Sequence, residues 1–279
     1  AIMASPEYYL TDCEREILRE QGLDIARSAA AGGTFELVEL GAGDGSKMCH
    51  LIDALHKLGA EFVFKPLDIS ANVLELLEER LRPGRPWLDM EPIAGNYMHW
   101  LARERRPGIR RVFAFVGSNL GNFTRDAAVE FLTAIRESMT PQDLLLIGLD
   151  MKKEPAVIRA AYDDKGGVTA RFNLNLLERI NRELAGDFDL AAFTHRPEYD
   201  PDTGAARSFL RSERDQRVHI GALNESFAFA RGELINMEIS QKYDQRQIDD
   251  LAQMSGFEVQ EIFTDQRDYF TDQLWRPAQ

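Results

Sequence analysis

The stretch Glu36–Lys47, ELVELGAGDGSK, decides the fold. Its apolar residues run directly into three glycines, Gly41, Gly43 and Gly45. This pattern is typical of a buried strand that ends in a tight turn before a helix, where backbone N–H groups and the positive helix end suit the polar parts of a nucleotide. The spacing differs from the G-x-G-x-x-G of dinucleotide sites, so it does not favour a pyrophosphate. A tight turn with no ligand is the alternative interpretation.

Alternating strand and helix patterns follow this turn. The predicted elements are strand Glu36–Leu40, helix Lys47–Lys57, strand Phe62–Asp68, helix Asn72–Leu81, strand Pro92–Ala94, strand Arg111–Gly117, helix Arg125–Ser138 and strand Asp143–Leu149. The last two strands contain continuous apolar runs, which are typical of a parallel sheet that helices cover on both faces. The sequence therefore predicts an α/β fold.

The alternation is interrupted in the second half of the chain. Residues Lys152–Glu183 are predicted to be mostly helical, and Phe188–Lys242 contains several short alternating runs. A helix pattern then returns at Asp244–Ser255, and Phe257–Phe263 and Tyr269–Trp275 indicate a strand pair that closes the sheet. We therefore expect the α/β domain to be discontinuous, with a second domain inserted into it.

Composition narrows the class of partner. A net charge of −13 makes a broad nucleic-acid surface improbable, because phosphate contacts require a basic face. The most basic stretch, Arg103–Arg111, is interpreted as a solvated turn. No apolar run approaches the length of a membrane span, and the two cysteines and five histidines show no metal-ligand spacing. The sequence predicts a cytoplasmic protein that binds a small molecule, without a metal, a membrane or a nucleic acid as partner.

Polar residues at the ends of the second and third strands suggest how a nucleoside would be held. Asp68 lies 25 positions after Gly43, where an acidic residue accepts hydrogen bonds from a ribose; a helix N-cap is the alternative. Asn96 and Tyr97 could hydrogen-bond to and stack on a purine, or simply form a turn.

The layout resembles that of methyltransferases that use S-adenosylmethionine (SAM) and release S-adenosylhomocysteine. This cofactor has an amino-acid end instead of a pyrophosphate. The glycines would admit its amino and carboxylate groups, and the helix end would stabilise the carboxylate. Lys47 is a candidate counter-ion, with an exposed lysine in the first helical turn as the alternative.

Five motifs spread over nearly the whole chain carry a narrower resemblance. They are PEYYLTDCEREIL (6–18), LVELGAGDGSK (37–47), FVGSNLGNF (115–123), AYDDKGGVTARFNLNLLERINRELAGDFDL (161–190) and MEISQKY (237–243). On these motifs the sequence resembles the histidine-specific methyltransferases of thiol-histidine biosynthesis. With DYFTDQLW (268–275) it is most similar to the ovothiol branch, the methyltransferase domain of ovothiol synthase (5-histidylcysteine sulfoxide synthase) or a stand-alone counterpart.

The resemblance implies methyl transfer to the π ring nitrogen of 5-thiohistidine, which gives ovothiol A. The alternative is the sister branch, which methylates the α-amino group of histidine in ergothioneine biosynthesis. An alternative of another class is a non-catalytic SAM-binding scaffold. The ovothiol branch also implies an iron-dependent sulfoxide synthase as a linked or separate partner. Little sequence precedes the first motif, so we expect an excised domain or a naturally separate methyltransferase.

The resemblance also implies the site residues and the domain boundaries. The substrate residues are Tyr8, Tyr9, Asn122, Tyr162, Ser208, Glu238 and Ser240. The cofactor residues are Gly41, Ala42, Gly43, Lys47, Asp68, Ile69, Asn96, Tyr97, Gly117 and Ser118. The Rossmann-like class I methyltransferase domain is predicted at 16–152 and 243–279, and an inserted α+β substrate-binding domain at 1–15 and 153–242. The substrate residues are predicted to position the reactants, and no residue is assigned as a catalytic base.

For several of these residues, the sequence pattern and side-chain chemistry suggest a role independently of the resemblance. Glu238 and Ser240 lie two apart in a strand pattern, so they share a face on which a carboxylate and a hydroxyl could hold an imidazole or an ammonium; the polar face of an ordinary strand is the alternative. Asn122 follows the fourth strand, at the edge where α/β sheets place ligands, unless it caps the next helix. Tyr162 is either a hydroxyl donor or a packing residue.

Two positions depart from the ergothioneine branch, which has an aspartate in place of Asn96 and a methionine in place of Ser208. An amide at Asn96 still bonds to an adenine edge. A smaller side chain at Ser208 leaves room for a sulfur on the ring, which favours the ovothiol branch.

Overall fold

The computed structural model describes residues 7–103 and 108–278. The chain divides into two units. The sheet unit comprises Leu10–Met151 and Tyr243–Gln279, and the inserted unit comprises Ala1–Tyr9 and Lys152–Lys242. The order of the segments is the one that the sequence predicts, although the boundaries differ in two places.

The predicted boundary between residues 15 and 16 is wrong. Residues 10–15 form the first half of helix α1 (Leu10–Glu20), which belongs to the sheet unit. Helix α1 is amphipathic, and its buried residues, such as Cys13 and Ile17, pack toward the sheet unit. The second difference is small: Lys152 belongs to the inserted unit.

The sheet unit contains a seven-stranded sheet. Its strands are β1 (Phe35–Leu40), β2 (Phe62–Asp68), β3 (Ile93–Ala94), β4 (Arg110–Phe115), β5 (Leu144–Asp150), β11 (Phe257–Thr264) and β12 (Phe270–Pro277). The order across the sheet is β11-β12-β5-β4-β1-β2-β3. The strands from β1 to β5 are parallel to their neighbours, and β12 runs antiparallel to β5. The predicted closing strand pair, β11 and β12, is confirmed.

Helices cover this sheet because its central strands are apolar on both faces. They are α1, α2 (Gly22–Ala30), α3 (Met48–Lys57), α4 (Ala71–Leu81), α5 (Tyr97–Arg103), α6 (Arg125–Ser138) and α9 (Gln245–Met254). Every residue of β1 and β5 is buried. The chain order reverses between β1 and β4, and in open α/β sheets such a switch point is where ligands bind, at the carboxyl ends of the strands.

The basic stretch Arg103–Arg111 is only partly a solvated turn. Residues 104–107 lie outside the described part of the chain. The prediction is wrong for Arg111, because its side chain is buried and its Nε atom lies 3.0 Å from Glu36 Oε2. Arg110 donates a hydrogen bond to the carbonyl oxygen of Gln142 at 2.8 Å. These two arginines therefore stabilise the start of β4 and do not form a phosphate patch.

The inserted unit combines two helices and two small sheets. Its elements are α7 (Pro155–Tyr162), α8 (Val168–Leu184), β6 (Phe193–Asp200), β7 (Ala205–Ser212), β8 (Gln216–Ile220), β9 (Glu225–Phe229) and β10 (Leu234–Gln241). Three antiparallel strands form a sheet in the order β10-β7-β6, and β8 pairs with β9. Alternate residues of β6 are covered, and helices α7 and α8 pack against this strand.

The sheet unit is continuous in space across the insertion. Met151 and Tyr243 form a parallel bridge, and the backbone N–H of Tyr243 donates to the carbonyl oxygen of Asp150 at 2.9 Å. The chain thus leaves the sheet unit after β5 and re-enters it at a neighbouring position.

Candidate cofactor and amino acid sites

The glycine turn is held by its own backbone hydrogen bonds. Gly41, Gly43 and Gly45 have φ angles of +77°, +54° and +64°, in the left-handed region that favours glycine. The N–H groups of Gly41 and Ala42 both donate to the carbonyl oxygen of Leu67, at 2.8 and 3.2 Å. Strand β2 thus holds the first two N–H groups of the turn in place.

Asp68 joins the end of β2 to this turn. Its Oδ2 atom accepts a hydrogen bond from the N–H of Gly43 at 3.3 Å, and its Oδ1 atom accepts one from the N–H of Ser70 at 3.0 Å. The alternative that Asp68 caps the next helix does not hold, because the Ser70 hydroxyl caps α4 by accepting from the N–H of Val73. Asp68 is half-buried.

A cleft of about 400 Å³ lies at the carboxyl edge of the sheet. It is lined by Gly41, Asp68, Tyr97, Phe115, Asn119, Asn122 and Phe123. The structure thus brings together three predicted cofactor residues and one predicted substrate residue. The volume lies within the range of about 300–1,000 Å³ that is usual for small-molecule sites.

Asn96 and Tyr97 form the start of helix α5, which the sequence does not predict. The Oδ1 atom of Asn96 accepts hydrogen bonds from the N–H groups of Met98 and His99, at 2.9 and 3.3 Å. The interpretation of this pair as a plain turn is therefore wrong. A role of Asn96 toward adenine would use its Nδ2 hydrogens. The ring of Tyr97 packs edge-on against Phe131, 5.3 Å between centroids, and lines the cleft.

The segment after β4 carries local strain. Ser118 has a φ angle of +56°, unusual for a residue with a side chain, and its buried Oγ atom has no hydrogen-bond partner among the described residues. Such strained, unsatisfied groups cluster at functional sites.

Asn122 is exposed and does not cap α6, because Thr124 does so. The alternative that Asn122 caps the next helix is therefore excluded, and Asn122 lines the cleft at the carboxyl edge of the sheet.

Lys47 is neither exposed nor isolated. Its ammonium pairs with the Glu14 carboxylate, which is fully buried on α1. Burial lowers the pKa of Lys47, but Glu14 more than offsets this effect, so the pKa lies above the ordinary lysine value. Gly117 lies against the same two groups: its N–H donates to Glu14 Oε1 at 2.6 Å, and a Cβ on it would lie 3.0 Å from Lys47 Nζ. The Lys47 ammonium is thus fixed in place.

Two further buried carboxyl groups surround this pair. Burial raises the pKa of both Glu39 and Asp272 well above the ordinary range, and the Lys47 charge opposes the rise in each case. Neither oxygen of Asp272 has a hydrogen-bond donor within the described ranges, and the same holds for Glu39 Oε2. We call Glu14, Glu39, Lys47 and Asp272 the buried charge cluster.

In the inserted unit, the hydroxyl groups of Tyr162 and Ser240 form a hydrogen bond. Tyr162 ends α7, and its hydroxyl lies 2.7 Å from the Ser240 Oγ atom on β10. The ammonium of Lys242 donates to both oxygens, at 2.6 Å to Tyr162 and 2.7 Å to Ser240. The structure thus brings together two predicted substrate residues and adds a lysine that the sequence analysis did not select.

Glu238 and Ser208 belong to the same face of the three-stranded sheet. They are directly opposite each other in the register of β10 and β7. Burial raises the pKa of Glu238, while Lys242 and a hydrogen bond from Ser208 partly offset the rise. Ser208 is fully buried, and its Oγ atom lies 3.4 Å from Nε2 of His195. Ser208 therefore bridges two polar groups, which differs from the predicted role of leaving space.

A second cleft, of about 390 Å³, lies in the inserted unit. It is lined by Ile158, Arg159, Tyr162, Asp163, Pro197, Glu198, Tyr199 and Ala206.

Among the predicted residues of the first motif, Tyr8 is half-buried, and Tyr9 is buried with its hydroxyl 2.8 Å from Lys153 Nζ. A hydrogen bond from a lysine ammonium to a tyrosine hydroxyl thus occurs twice in this unit, from Lys153 to Tyr9 and from Lys242 to Tyr162.

The comparison with known proteins decides the family. The profile described as "Histidine-specific methyltransferase, SAM-dependent" matches residues 1–277. The chain belongs to this family. It is accordingly a SAM-dependent N-methyltransferase, which confirms the predicted enzyme class and cofactor.

Individual relatives support the same assignment. The methyltransferase is 40% identical over 238 residues to the histidine N-alpha-methyltransferase of Mycobacterium tuberculosis, covering 85% of this chain and 73% of the relative. It is 30% identical over 259 residues to ergothioneine biosynthesis protein 1 of Neurospora crassa, covering 90% of this chain and 28% of the relative. Neither name refers to ovothiol.

A solved structure supports the fold. A SAM-dependent methyltransferase from Clostridium acetobutylicum matches with a TM-score of 0.50 at 8% identity, covering 94% of this chain and 92% of the other. The predicted Rossmann-like class I fold is therefore confirmed.

The residues around the first cleft fit SAM. Lys47 and Glu39 belong to the buried charge cluster, in which Lys47 already pairs with Glu14. Asp68 is placed to accept from a ribose, and the aromatic rings of Tyr97, Phe115 and Phe123 suit adenine. Of the other predicted cofactor residues, Ala42 is buried and Ile69 is exposed.

Sequence reasoning missed Asn119, Glu14 and Lys242. Asn119 follows β4, so the argument used for Asn122 could have found it. Glu14 and Lys242 had no such signal, because their partners are distant in sequence. The residues described show no group of three or more histidine, cysteine, aspartate or glutamate side chains that could hold a metal ion, and no helix there is long and apolar enough to cross a membrane.

Proposed function

We propose that this methyltransferase methylates the α-amino group of histidine. The observation that carries the proposal is the pairing of a carboxylate, Glu238, with a hydroxyl, Ser240, two residues apart on one face of β10. The names of the relatives in Mycobacterium and Neurospora support the same substrate class. This proposal replaces the ring nitrogen of 5-thiohistidine as the first choice of acceptor.

The pair on β10 suits an imidazole better than an ammonium. A neutral imidazole has one N–H donor and one acceptor nitrogen, so Glu238 accepts from the first and Ser240 donates to the second. An ammonium has only donors, and the ammonium of Lys242, 2.7 Å from Ser240, repels it. With both ring nitrogens bonded, the remaining nucleophilic nitrogen of histidine is the α-amino group.

The chain contributes mainly by placing the substrate. When bound, SAM supplies the methyl group from its sulfonium centre. Holding the acceptor nitrogen in line with that methyl group can supply most of the rate enhancement. The α-amino group has to be neutral when it attacks, so its ammonium form first loses a proton. Tyr162, Glu238 and Ser240 are proposed to orient the substrate, and no residue is assigned as the base.

The second candidate is methylation of a ring nitrogen of 5-thiohistidine. One observation favours it: His195 lies beside Ser208 on the covered face that carries Glu238, and the ring N–H of one of its tautomers would donate to a ring thiolate. In that arrangement Glu238 would hold the α-ammonium, and a ring nitrogen would be the acceptor.

One incubation separates these proposals. The purified protein is mixed with SAM and equal concentrations of histidine and 5-thiohistidine, and the methyl group is located by fragmentation mass spectrometry and proton NMR. Methyl groups on the α-nitrogen of histidine are the expected result. A single methyl on a ring nitrogen of 5-thiohistidine would overturn the proposal in favour of the second candidate. SAM binding without turnover of either amino acid would overturn both candidates.

A further inference from the structure

We propose that Lys242 is a positioning residue for the substrate: it makes Ser240 a hydrogen-bond donor toward the imidazole ring. The inference rests on the proposed function, because it concerns how the amino acid is recognised. Lys242 would not contact the reacting atoms, and it would act through Ser240 and Glu238.

The contacts of Lys242 fix the direction of its hydrogen bonds. Its side chain is fully buried, and its Nζ atom lies 2.6 Å from the Tyr162 oxygen and 2.7 Å from the Ser240 oxygen. An ammonium has three hydrogens and no lone pair, so it can only donate. Both hydroxyl oxygens therefore accept a hydrogen bond from Lys242.

The hydrogen bond between Tyr162 and Ser240 determines whether Ser240 can donate or accept toward a ligand. The Tyr162 hydroxyl donates to Ser240 Oγ at 2.7 Å, as expected from the more acidic of the two hydroxyl groups. Ser240 Oγ has two lone pairs, and these now receive one hydrogen each from Lys242 and Tyr162. Toward any further group, Ser240 can act only as a donor. It therefore recognises an acceptor atom, such as the unprotonated nitrogen of an imidazole.

Lys242 also acts on Glu238. Its positive charge opposes the rise that burial causes in the Glu238 pKa, so it favours the ionised carboxylate. Glu238 and Ser240 lie two apart on β10, so their side chains point to the same face, and the hydrogen bond to Ser240 brings the Lys242 ammonium to that face. One lysine thus maintains an acceptor at Glu238 and a donor at Ser240, the complement of a neutral imidazole.

A purely structural role of Lys242 predicts a different effect of its substitution on ligand binding. If Lys242 only joined α7 to β10, its loss would lower stability and weaken all ligands together. If it acts through Ser240, its loss would weaken histidine selectively, and the effect would depend on the Ser240 hydroxyl. A double-mutant cycle measures this dependence.

The experiment compares Lys242→Met, Ser240→Ala and the double variant with the unmodified chain. Exposed Lys165 in the same unit provides the matched control, Lys165→Met. Histidine affinity in the presence of S-adenosylhomocysteine is measured by calorimetry, together with the affinity for S-adenosylhomocysteine alone and the melting temperature. Should Lys242→Met fail to fold, Lys242→Gln, which keeps N–H donors without the charge, replaces it throughout.

We expect Lys242→Met to weaken histidine binding about 10- to 100-fold, as for loss of a hydrogen bond that involves a charge. Affinity for S-adenosylhomocysteine should stay within about twofold, and adding Ser240→Ala should weaken histidine less than about threefold further. Unchanged histidine affinity in Lys242→Met, or losses that multiply in the double variant, would overturn the inference. Absence of histidine binding by the unmodified chain would instead overturn the proposed function.

Discussion

Asp68 and Gly43 are joined by a hydrogen bond, with 3.3 Å between Gly43 N and Asp68 Oδ2. The bond connects the carboxyl end of β2 to the glycine turn that follows β1. Asp68 therefore has two functions: it fixes the turn, and it presents a carboxylate to the cleft. A substitution there should change the binding of SAM more than the stability of the fold.

Asp68→Ala should weaken SAM binding about 10- to 100-fold, because it removes a charged acceptor from the proposed ribose position. Asp68→Asn should lose less, since an amide oxygen still accepts from Gly43. Calorimetric titration with SAM provides the measurement. Asp89→Ala, at an exposed position of the same unit, is the control. Equal affinity of Asp68→Ala and this control would contradict the assignment.

The glycine turn allows a steric prediction with an internal comparison. A Cβ on Gly45 would lie 2.2 Å from Cδ1 of buried Leu77, whereas a Cβ on Gly43 would meet no atom within 4 Å. Gly45→Ala should therefore destabilise the fold by about 2–4 kcal/mol, from backbone strain and overpacking. Gly43→Ala should cost about 1–2 kcal/mol, from strain alone. Urea unfolding of both variants tests this, and the reverse order would contradict the packing.

Lys47→Met should destabilise the protein strongly at neutral pH. It leaves the buried Glu14 carboxylate without its cation, and breaking such a pair costs about 3–5 kcal/mol. Because the Lys47 pKa is raised, the unmodified chain keeps this charge at neutral pH and loses its contribution only at strongly alkaline pH. Urea midpoints at neutral pH provide the measurement, and an unchanged midpoint in Lys47→Met would argue against the pairing.

Asp272→Asn should increase the free energy of unfolding relative to the unmodified chain, and this gain should grow as the pH rises. Burial, and then Glu14, raise the pKa of Asp272 in the folded state, so ionisation opposes folding once the pH exceeds the ordinary value of about 4. The amide does not ionise. We expect little difference at pH 4 and a gain of about 1–3 kcal/mol at pH 8. A variant that is less stable than the unmodified chain at pH 8 would show that the ionised carboxylate is needed.

Glu238→Gln should weaken histidine binding about tenfold or more, because the carboxylate is the proposed acceptor for the ring N–H. SAM binding should not change. Glu225→Gln, at an exposed position on β9, serves as the control in the same unit. Steady-state kinetics should show a higher KM for histidine. A change in the KM for SAM alone would place Glu238 outside the amino acid site.

The regular part of the fold could be predicted because its periodicity is strong. Strand Phe62–Asp68 and helix Arg125–Ser138 have the predicted bounds. Helix α5 was missed because its seven residues, about two turns, repeat the helical period too few times to be recognised, and its capping residue Asn96 was interpreted as part of a turn. Helices α1 and α2 precede the first strand, and no element was predicted for them.

The candidate site could be predicted only at the ends of strands. Gly41, Asp68, Tyr97 and Asn122 converge in one cleft because the carboxyl ends of parallel strands share an edge. The partner of Lys47 could not be predicted, because Glu14 lies 33 positions away on a helix whose packing has no local signal. The pairing of Ser208 with Glu238 depends on the register of β7 and β10, which the sequence pattern does not specify.

The bridge between Met151 and Tyr243 gives the enzyme a modular architecture. Because the chain departs and returns at adjacent positions, a linker of roughly three residues would span the gap if the 91 residues from Lys152 to Lys242 were removed. The inserted part can thus lengthen, shorten or be exchanged by recombination while β5 and α9 keep their places. Under the proposed function, changes confined to the inserted part would alter which amino acid is recognised and would leave the proposed site of the methyl donor unchanged.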